Sequence, residues 1–378
     1  MSTRPSPAAR LGPVELAGGI LACLPDMTAA RLRALLGRWG GPVAALAAIR
    51  RGVTGAALLR PSRVSDQAAH LALTRRWRDA AADDRIAVVL SRRGTRVFLA
   101  GRAGYPIADD VPDGPEVLLA EGDAPDALRA PRVAVVGTRA ATPHGLADAR
   151  EIGTVLGQAG VTVVSGLAIG IDGAAHEGAL DAGGRAVGVV ATGLDVVYPR
   201  RHAGLFERVR RHGLLVSELG YGVRPRRELF PIRNRIIAAL ADVVVVVEAT
   251  KRGGARITAE RAADYGRPVL AMPGSRRNPS AEGTNALLAD GAHPLLEPSD
   301  VLLALGLTPG PRRAVERPAP SRDALAVLRA CGGDAATPDQ LASRTGLGMD
   351  AVAVAVRELE RGGWMERAQG MCWPLGGP

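Results

Sequence analysis

Cysteine, aromatic residues and long apolar runs are scarce in this 378-residue sequence, and each shortage excludes a class of protein. The three cysteines, Cys23, Cys331 and Cys372, lie far apart, which argues against a disulfide scaffold and against a cysteine-rich metal site. Aromatic residues make up 3% of the chain, too few for a protein built mainly of base-stacking platforms. No uncharged apolar run approaches the roughly 18 residues that a membrane helix needs, and Glu15 interrupts the N-terminal apolar stretch. We therefore expect a cytoplasmic protein without a membrane span.

Lysine is scarcer still, and arginine supplies almost all of the positive charge. The chain has 48 Lys and Arg against 38 Asp and Glu, a net charge of +10, and Lys251 is its single lysine. A GC-rich genome explains much of this bias, so the position of the arginines is more informative than their number. Residues 199–235 contain ten arginines and three acidic residues. A solvated face explains many such runs, but this one includes loops that follow predicted strands, where α/β proteins bind ligands.

The N-terminal part of the chain, residues 1–70, is predicted to be helical. Thr28 can cap a helix that ends at Gly40, and apolar residues recur on one face of that helix. Both a plain packing domain and a DNA-binding helix-hairpin-helix unit fit this pattern. Short strands are predicted to follow at Ile86–Leu90, Val97–Ala100 and Val117–Ala120.

Residues 85–305 are predicted to form an α/β domain with its core at 131–297. From Arg132 onward, valine-rich runs alternate with helical segments. Continuous apolar runs are typical of strands buried on both faces, and strands joined by helices imply parallel βαβ units with right-handed crossovers. The predicted fold class is therefore α/β, with a doubly wound parallel sheet.

The C-terminal part is predicted to be a linker, 306–320, and a winged helix, 321–378. Three helices and a hairpin follow one another there, and the second helix has Thr337 as its cap and Gly346 at its end. The third helix, Met349–Arg361, carries three acidic and two basic residues. A helix that enters a DNA groove is expected to be basic, so the composition favours a protein-contact or packing role.

Two of the loops that follow predicted strands combine features that bind phosphate. The first strand ends in Gly137-Thr138-Arg139, where the next helix can present N–H groups to an anion and Arg139 can add a bidentate contact. The fourth junction delivers Arg233-Asn234-Arg235 to the start of a helix, a second ready phosphate site. Phe230 precedes it and can stack on a base or anchor the helix in the core.

Two further junctions are rich in glycine. The second, Ser165–His176, places Asp172 four residues before His176, on one helical face. This spacing fits a metal site or an acid–base pair, but a helix cap and a structural hydrogen bond are favoured because no third ligand or nucleophile lies nearby in the sequence. The fifth strand is followed by Lys251–Arg256, whose glycines permit the backbone to approach a ligand.

Together these motifs resemble the DprA/Smf family of bacterial DNA-processing proteins. The matching stretches, in chain order, are Val136–Arg139, Ser165–His176, Gly193–Pro199, Ser217-Glu218, Phe230–Ile237, Val247–Ala249, Thr258-Ala259, Gly266-Arg267, Pro273-Gly274 and Glu282–Asn285. The resemblance implies an extended Rossmann fold that binds and protects single-stranded DNA in a basic groove. It further implies help in loading RecA during transformation or recombination, a homodimer through the Rossmann domain, no cofactor and no catalytic activity.

The resemblance also implies particular DNA-binding residues. They are Gly137, Thr138, Arg139, Ser165, Gly166, Arg227, Phe230, Arg233, Asn234, Arg235, Lys251 and Arg256. Phe230 is expected next to a base, and Arg139, Arg233, Asn234 and Arg235 at phosphates. The family usually has Ser-Gly-Ser and an aliphatic residue where this chain has Gly253–Arg256, which removes two hydroxyls and adds Arg256.

Two enzymatic alternatives fit the sequence less well. A phosphoribohydrolase-like enzyme that processes nucleotides needs a P-G-G-x-G-T-x-x-E run, but the chain reads Pro273–Arg276 there and Glu282 lacks the required spacing. A dinucleotide-dependent oxidoreductase needs G-x-G-x-x-G and an acidic residue at the end of the second strand. Neither is present.

Overall fold

The computed structural model of the protein describes residues 11–53, 66–129, 131–308, 318–332, 334–368 and 370–375. Most of the predicted linker at 306–320 therefore lies outside the described residues. The helices are α1 (Pro13–Ala22), α2 (Ala29–Trp39), α3 (Pro42–Arg50), α4 (Asp66–Ala82), α5 (Arg85–Arg92), α6 (Pro143–Gln158), α7 (Ile171–Asp181), α8 (Ala203–His212), α9 (Leu229–Leu240), α10 (Gly254–Asp264), α11 (Glu282–Ala289), α12 (Asp300–Ala304), α13 (Arg322–Cys331), α14 (Pro338–Thr345) and α15 (Met349–Arg361). The strands are β1 (Arg96–Leu99), β2 (Val117–Glu121), β3 (Arg132–Val136), β4 (Thr162–Ser165), β5 (Ala186–Val189), β6 (Gly213–Ser217), β7 (Val243–Val246), β8 (Val269–Ala271), β9 (His293–Pro294), β10 (Met365–Ala368) and β11 (Met371–Pro374).

The N-terminal helices form as the sequence predicts. The Thr28 hydroxyl accepts a hydrogen bond from the Arg31 backbone N–H at 3.2 Å, which caps α2. Gly40 ends the helix in the left-handed conformation, with φ of 72°. The apolar faces of α1 to α5 pack with one another and against β1, β2 and α8 in one hydrophobic cluster.

The strand predicted at Ile86–Leu90 is wrong, because these residues lie in α5. Its β-branched residues favour a strand locally, but tertiary contacts decide the conformation. Leu90 is fully buried next to Gly19 of α1, whereas Val88 and Val89 are 43% and 37% exposed. One buried and one exposed face follow from a helical turn at this position.

A nine-stranded sheet in the order β1-β2-β6-β5-β4-β3-β7-β8-β9 forms the centre of the molecule. The strands from β3 to β9 run parallel to their neighbours, and β1 and β2 join the edge as antiparallel strands. Ala134 and Val136 of β3 belong to one hydrophobic core, while Val133 and Val135 belong to another on the opposite face. The predicted doubly wound α/β class is therefore confirmed.

The winged helix also forms as predicted. Thr337 and Gln340 make reciprocal capping bonds at the start of α14, and Gly346 ends it with φ of 71°. Helix α15 follows with the predicted bounds, and β10 pairs with β11 as the wing. No helix in the described part of the chain is both long and apolar enough to span a membrane.

The two faces of α5 predict a difference between two similar truncations. We expect Leu90→Ala to lower the free energy of unfolding by about 2–5 kcal/mol, because it leaves a cavity against α1. Val89→Ala, on the exposed face of the same helix, is expected to change it by about 0.5 kcal/mol or less. Urea unfolding of the two variants measures this difference, and equal effects would contradict the packing described here.

Candidate functional site

A cavity of about 340 Å³ opens at the carboxyl edge of the parallel sheet. It lies between the loops that follow β3 and β7, adjacent strands from which the chain continues in opposite directions across the sheet. Open α/β sheets bind ligands at such switch points. The sequence-predicted residues that line the cavity are Gly137, Thr138, Arg139, Phe230, Arg233 and Asn234.

The N-terminus of α6, expected from the sequence to bind an anion, is filled by the protein's own carboxylate. Glu248 accepts hydrogen bonds from the Thr142 backbone N–H at 2.9 Å and from the Thr142 hydroxyl at 2.6 Å. The Glu248 residue is 8% exposed and does not line the cavity. This pair fixes the loop after β3 to the residues after β7 and places a negative charge at the start of α6, which disfavours a second anion there.

The N-terminus of α10 faces the cavity instead. Its N-cap is Gly253, so no side chain caps the helix, and Gly253, Gly254 and Ala255 all line the cavity. The side-chain amide of Asn234 donates to the Gly254 carbonyl at 3.0 Å and holds this turn against α9. Uncapped N–H groups at the start of a helix attract anions, so this turn suits a phosphate.

Helix α9 begins earlier than the sequence predicts, at Leu229, so Phe230 lies in its first turn rather than in a preceding loop. The guanidinium of Arg139 lies 4.9 Å from the centroid of the Phe230 ring. Arg139 is exposed and has no ion-pair partner among the described residues. The pair therefore presents a positive charge stacked on an aromatic face at the cavity mouth.

Arg233 lies beneath the cavity and is only 6% exposed. Its guanidinium donates to the Val189 carbonyl at the end of β5. Burial lowers the pKa of Arg233 to about 10, and the negative charge of Asp172 opposes this shift. Arg233 thus contributes a fixed positive charge to the cavity floor more than a mobile phosphate contact.

Asp172 and His176 make structural hydrogen bonds, as the sequence analysis favoured, but the predicted helix cap is wrong. Asp172 does not cap its helix, but its carboxylate accepts a hydrogen bond from the Gly166 N–H at 3.0 Å. His176 is fully buried with Nε2 placed 3.2 Å from the Val187 carbonyl, and burial lowers its pKa to about 4. No group of three His, Cys, Asp or Glu residues in the described ranges is arranged to hold a metal ion.

Three of the predicted DNA-binding residues are bound within the fold, outside the cavity lining. Ser165 is fully buried and its hydroxyl donates to the Val135 carbonyl at 2.7 Å. Arg235 points to the other side of α9, where it pairs with Glu218 and donates to the Asp113 carbonyl at 2.8 Å. Arg256 lies 3.6 Å from both Glu260 and Asp290.

The arginines of residues 199–235 divide into two groups. Arg208, Arg210 and Arg211 pair with acidic residues, and Arg233 and Arg235 are bound inside the domain. The other five are exposed, two in the short 3-10 helix Arg200–His202 and three in the loop after β6, and make no ion pair within the described ranges. Together with cations that follow β3, β7 and β8, they form what we call the basic rim: Arg139, Arg200, Arg201, Arg224, Arg226, Arg227, Lys251, Arg252, Arg276 and Arg277.

The basic rim contains Arg139, Arg227 and Lys251, which the sequence analysis singled out, and seven cations that it did not assign to the site. Arg276 and Arg277 are examples, since they follow β8 and are exposed. The available signal was their position after a predicted strand, which places them at the same edge as Arg139. Counting charge along the chain finds the segment 199–235 but not Arg276 and Arg277, because these two arginines lie in a different loop.

Known proteins resemble this chain over most of its length. The family model described as DNA recombination-mediator protein A matches residues 96–306, and a DprA winged helix domain matches residues 311–371. The chain belongs to the DprA/Smf family. A DNA processing protein DprA of Mycobacterium tuberculosis is 38% identical over 356 residues, which cover 89% of this chain and 88% of the relative.

Solved structures of family members have the same architecture. DprA from Streptococcus pneumoniae is 31% identical, with a TM-score of 0.62 over 78% of this chain and 98% of that protein. DprA from Helicobacter pylori, described for its single-stranded DNA binding mode, is 29% identical, with a TM-score of 0.50 over 55% of this chain and 95% of that protein.

The position of the Arg233 guanidinium predicts the effect of adding a methyl group at Gly166. A Cβ at Gly166 would lie 2.5 Å from Cζ of Arg233, and the buried guanidinium has little room to move. We expect Gly166→Ala to lower the free energy of unfolding by about 1–3 kcal/mol. Gly37→Ala is the control, because that site in α2 is open and helix propensity predicts a gain of about 0.5–1 kcal/mol. Thermal unfolding measures both, and a neutral Gly166→Ala would show that Arg233 is not held in this position.

Proposed function

We propose that this protein binds and protects single-stranded DNA without catalysing a reaction on it. The observation that carries the proposal is the basic rim around a cavity that combines an uncapped helix N-terminus with an exposed cation stacked on an aromatic ring. Cationic side chains and N–H groups suit a phosphodiester backbone, and an aromatic face suits an unpaired base.

A single strand fits this arrangement better than a duplex. Phe230 lies in the first turn of α9, partly buried at the junction of the loops, so a base must leave its stack to reach the ring. In a duplex that movement requires free energy to break a base pair and its stacking, whereas in a single strand the free energy required is much smaller. The description of the Helicobacter pylori relative by its single-stranded DNA binding mode supports the same choice.

A nucleotide-processing enzyme finds less support in this site. The carboxylate most suited to such chemistry, Glu248, is buried and hydrogen-bonded to Thr142. Asp172 lines the cavity, but it is nearly buried and its carboxylate is bound to the Gly166 N–H. Both acidic groups serve to hold the loops in place.

We further propose that the protein helps to load RecA, and that it acts as a homodimer in the cytoplasm. The family resemblance supports both proposals. At the open edge of the sheet, strand β9 is exposed, and Leu296 and Leu303 nearby are 70% and 61% exposed. Exposed leucines next to the outer edge strand of a sheet suit an interface between two copies.

Fluorescence anisotropy with a labelled oligonucleotide tests DNA binding. We expect tighter binding to a single strand than to a duplex, and we expect Arg139→Ala to weaken binding to the single strand about tenfold. Loss of one phosphate contact should also reduce the slope of log affinity against log salt by about 0.7.

Arg208→Ala is the matched control for that measurement. It removes an arginine of the same charged segment, but one that pairs with Asp181 and lies outside the basic rim. Normal binding by Arg139→Ala, or a loss as large in Arg208→Ala, would contradict the proposed site. Failure of the unmodified protein to prefer single strands would contradict the function itself.

RecA filament formation on single strands coated with single-strand-binding protein tests the loading proposal. We expect addition of this protein to shorten the lag before filaments form, because it offers RecA a strand that is no longer blocked. Arg139→Ala should restore most of the lag. An unchanged lag with the unmodified protein, under conditions where it binds the strand, would refute RecA loading while leaving DNA binding intact.

A further inference from the structure

A second, smaller cavity of about 60 Å³ lies next to the first. The two cavities share Arg139, Ala168, Phe230 and Arg233, so the stack of Arg139 on Phe230 stands between them. The remaining walls of the small cavity are Gly166, Ile169, Tyr198 and Pro199. It is therefore lined mainly by apolar groups, with two guanidiniums at its border.

Tyr198 is the exposed aromatic residue in the wall of this cavity. Its ring lies 5.5 Å from the Phe230 ring, tilted by 49°. The residue is 41% exposed, and within the described residues its hydroxyl makes no hydrogen bond. A large exposed aromatic ring whose polar group is unused is an available stacking surface.

The charges around Tyr198 complement a nucleotide. Arg200 and Arg201 follow directly after Pro199, are exposed and pair with no acidic residue in the described ranges. The Nδ1 atom of His202 lies 3.1 Å from the Leu167 carbonyl, which ties this segment to the loop after β4. Two free cations are thereby held at the edge of an apolar cavity, where a base and its flanking phosphates would lie.

We propose that the small cavity is a second base subsite, in which Tyr198 stacks on one unpaired nucleobase of the DNA strand. The neighbouring nucleotide occupies the large cavity, and the strand passes over the stack of Arg139 on Phe230. Arg200 and Arg201 contact the phosphates that flank the base on Tyr198. This subsite rests on the proposed single-stranded DNA binding. It gives a role to Tyr198, which belongs to the Gly193–Pro199 motif but is not among the DNA-binding residues that the resemblance implies.

Three substitutions at position 198 test the subsite by anisotropy with an oligothymidylate. We expect Tyr198→Ala to weaken binding roughly 5-fold to 150-fold, the range for loss of one stacked base. Tyr198→Phe should bind normally, because the ring and not the hydroxyl makes the contact. Tyr198→Leu should be weakened nearly as much as Tyr198→Ala, while its bulk still fills the space against Phe230.

The dependence on salt separates this role from a phosphate contact. Tyr198→Ala should leave the slope of log affinity against log salt unchanged, because no charge is removed. Arg139→Ala changes that slope. Normal binding by Tyr198→Ala and Tyr198→Leu would overturn the subsite.

An oligonucleotide without bases in its central three positions separates the subsite from the general function. The unmodified protein should bind it more weakly than the intact strand, and Tyr198→Ala should lose much less on the same change of strand. If both proteins lose equally, Tyr198 does not contact a base and the subsite is wrong, although single-stranded DNA binding stands. If the unmodified protein binds neither strand, both the subsite and the proposed function are wrong.

Discussion

The guanidinium of Arg233 is the charge around which the site is organised. It extends from α9 under the loop after β4, donates to the carbonyl of Val189 after β5, and lines both cavities. Its burial is tolerated because Asp172 supplies a nearby opposite charge, and Asp172 in turn holds the N–H of Gly166. Helix α9, the end of β5 and the loop after β4 are thereby fixed relative to one another before any ligand binds.

Arg233 can therefore favour phosphate binding without contacting the ligand. A buried guanidinium raises the positive potential of the cavity floor, and the exposed cations of the basic rim supply contacts that can be exchanged with water and ions. Glu248 is a second buried charged residue that holds a loop in place, here the loop after β3. It lies at the N-terminus of α6, whereas the start of α10 has no capping side chain and lines the cavity.

The sequence predicted much of the fold and part of the site. Helices with capping residues in their own sequence, such as α2 and α14, have the predicted bounds. The valine-rich runs correctly predicted the parallel strands. The exceptions are places where a distant contact competes with local preference. The sequence of α5 is typical of a strand, but the contact of Leu90 with α1 favours a helix. Helix α9 starts before Pro231, because a residue in the first turn of a helix needs no intrahelical N–H bond.

Motif position identified the loops that meet at the sheet edge, since parallel strands end together. It did not distinguish residues that face the cavity from residues that hold it in place. Arg233 and Arg235 are two residues apart on a helix, so they point in different directions: one enters the cavity floor and the other pairs with Glu218. Tyr198 was not predicted as a DNA-binding residue, because its place in the site depends on contact with Phe230, which is distant in sequence.

The sequence by itself determined the α/β class, the family resemblance and the arginine-rich segment at 199–235, because these depend on local patterns and composition. Tertiary structure decided which of the arginines are free. Half of those in residues 199–235 are neutralised or buried by partners that come from other elements, and the rest gather with cations from other loops into one rim. Charge can be counted along a chain, but only folding determines which charges meet each other and which remain for a ligand.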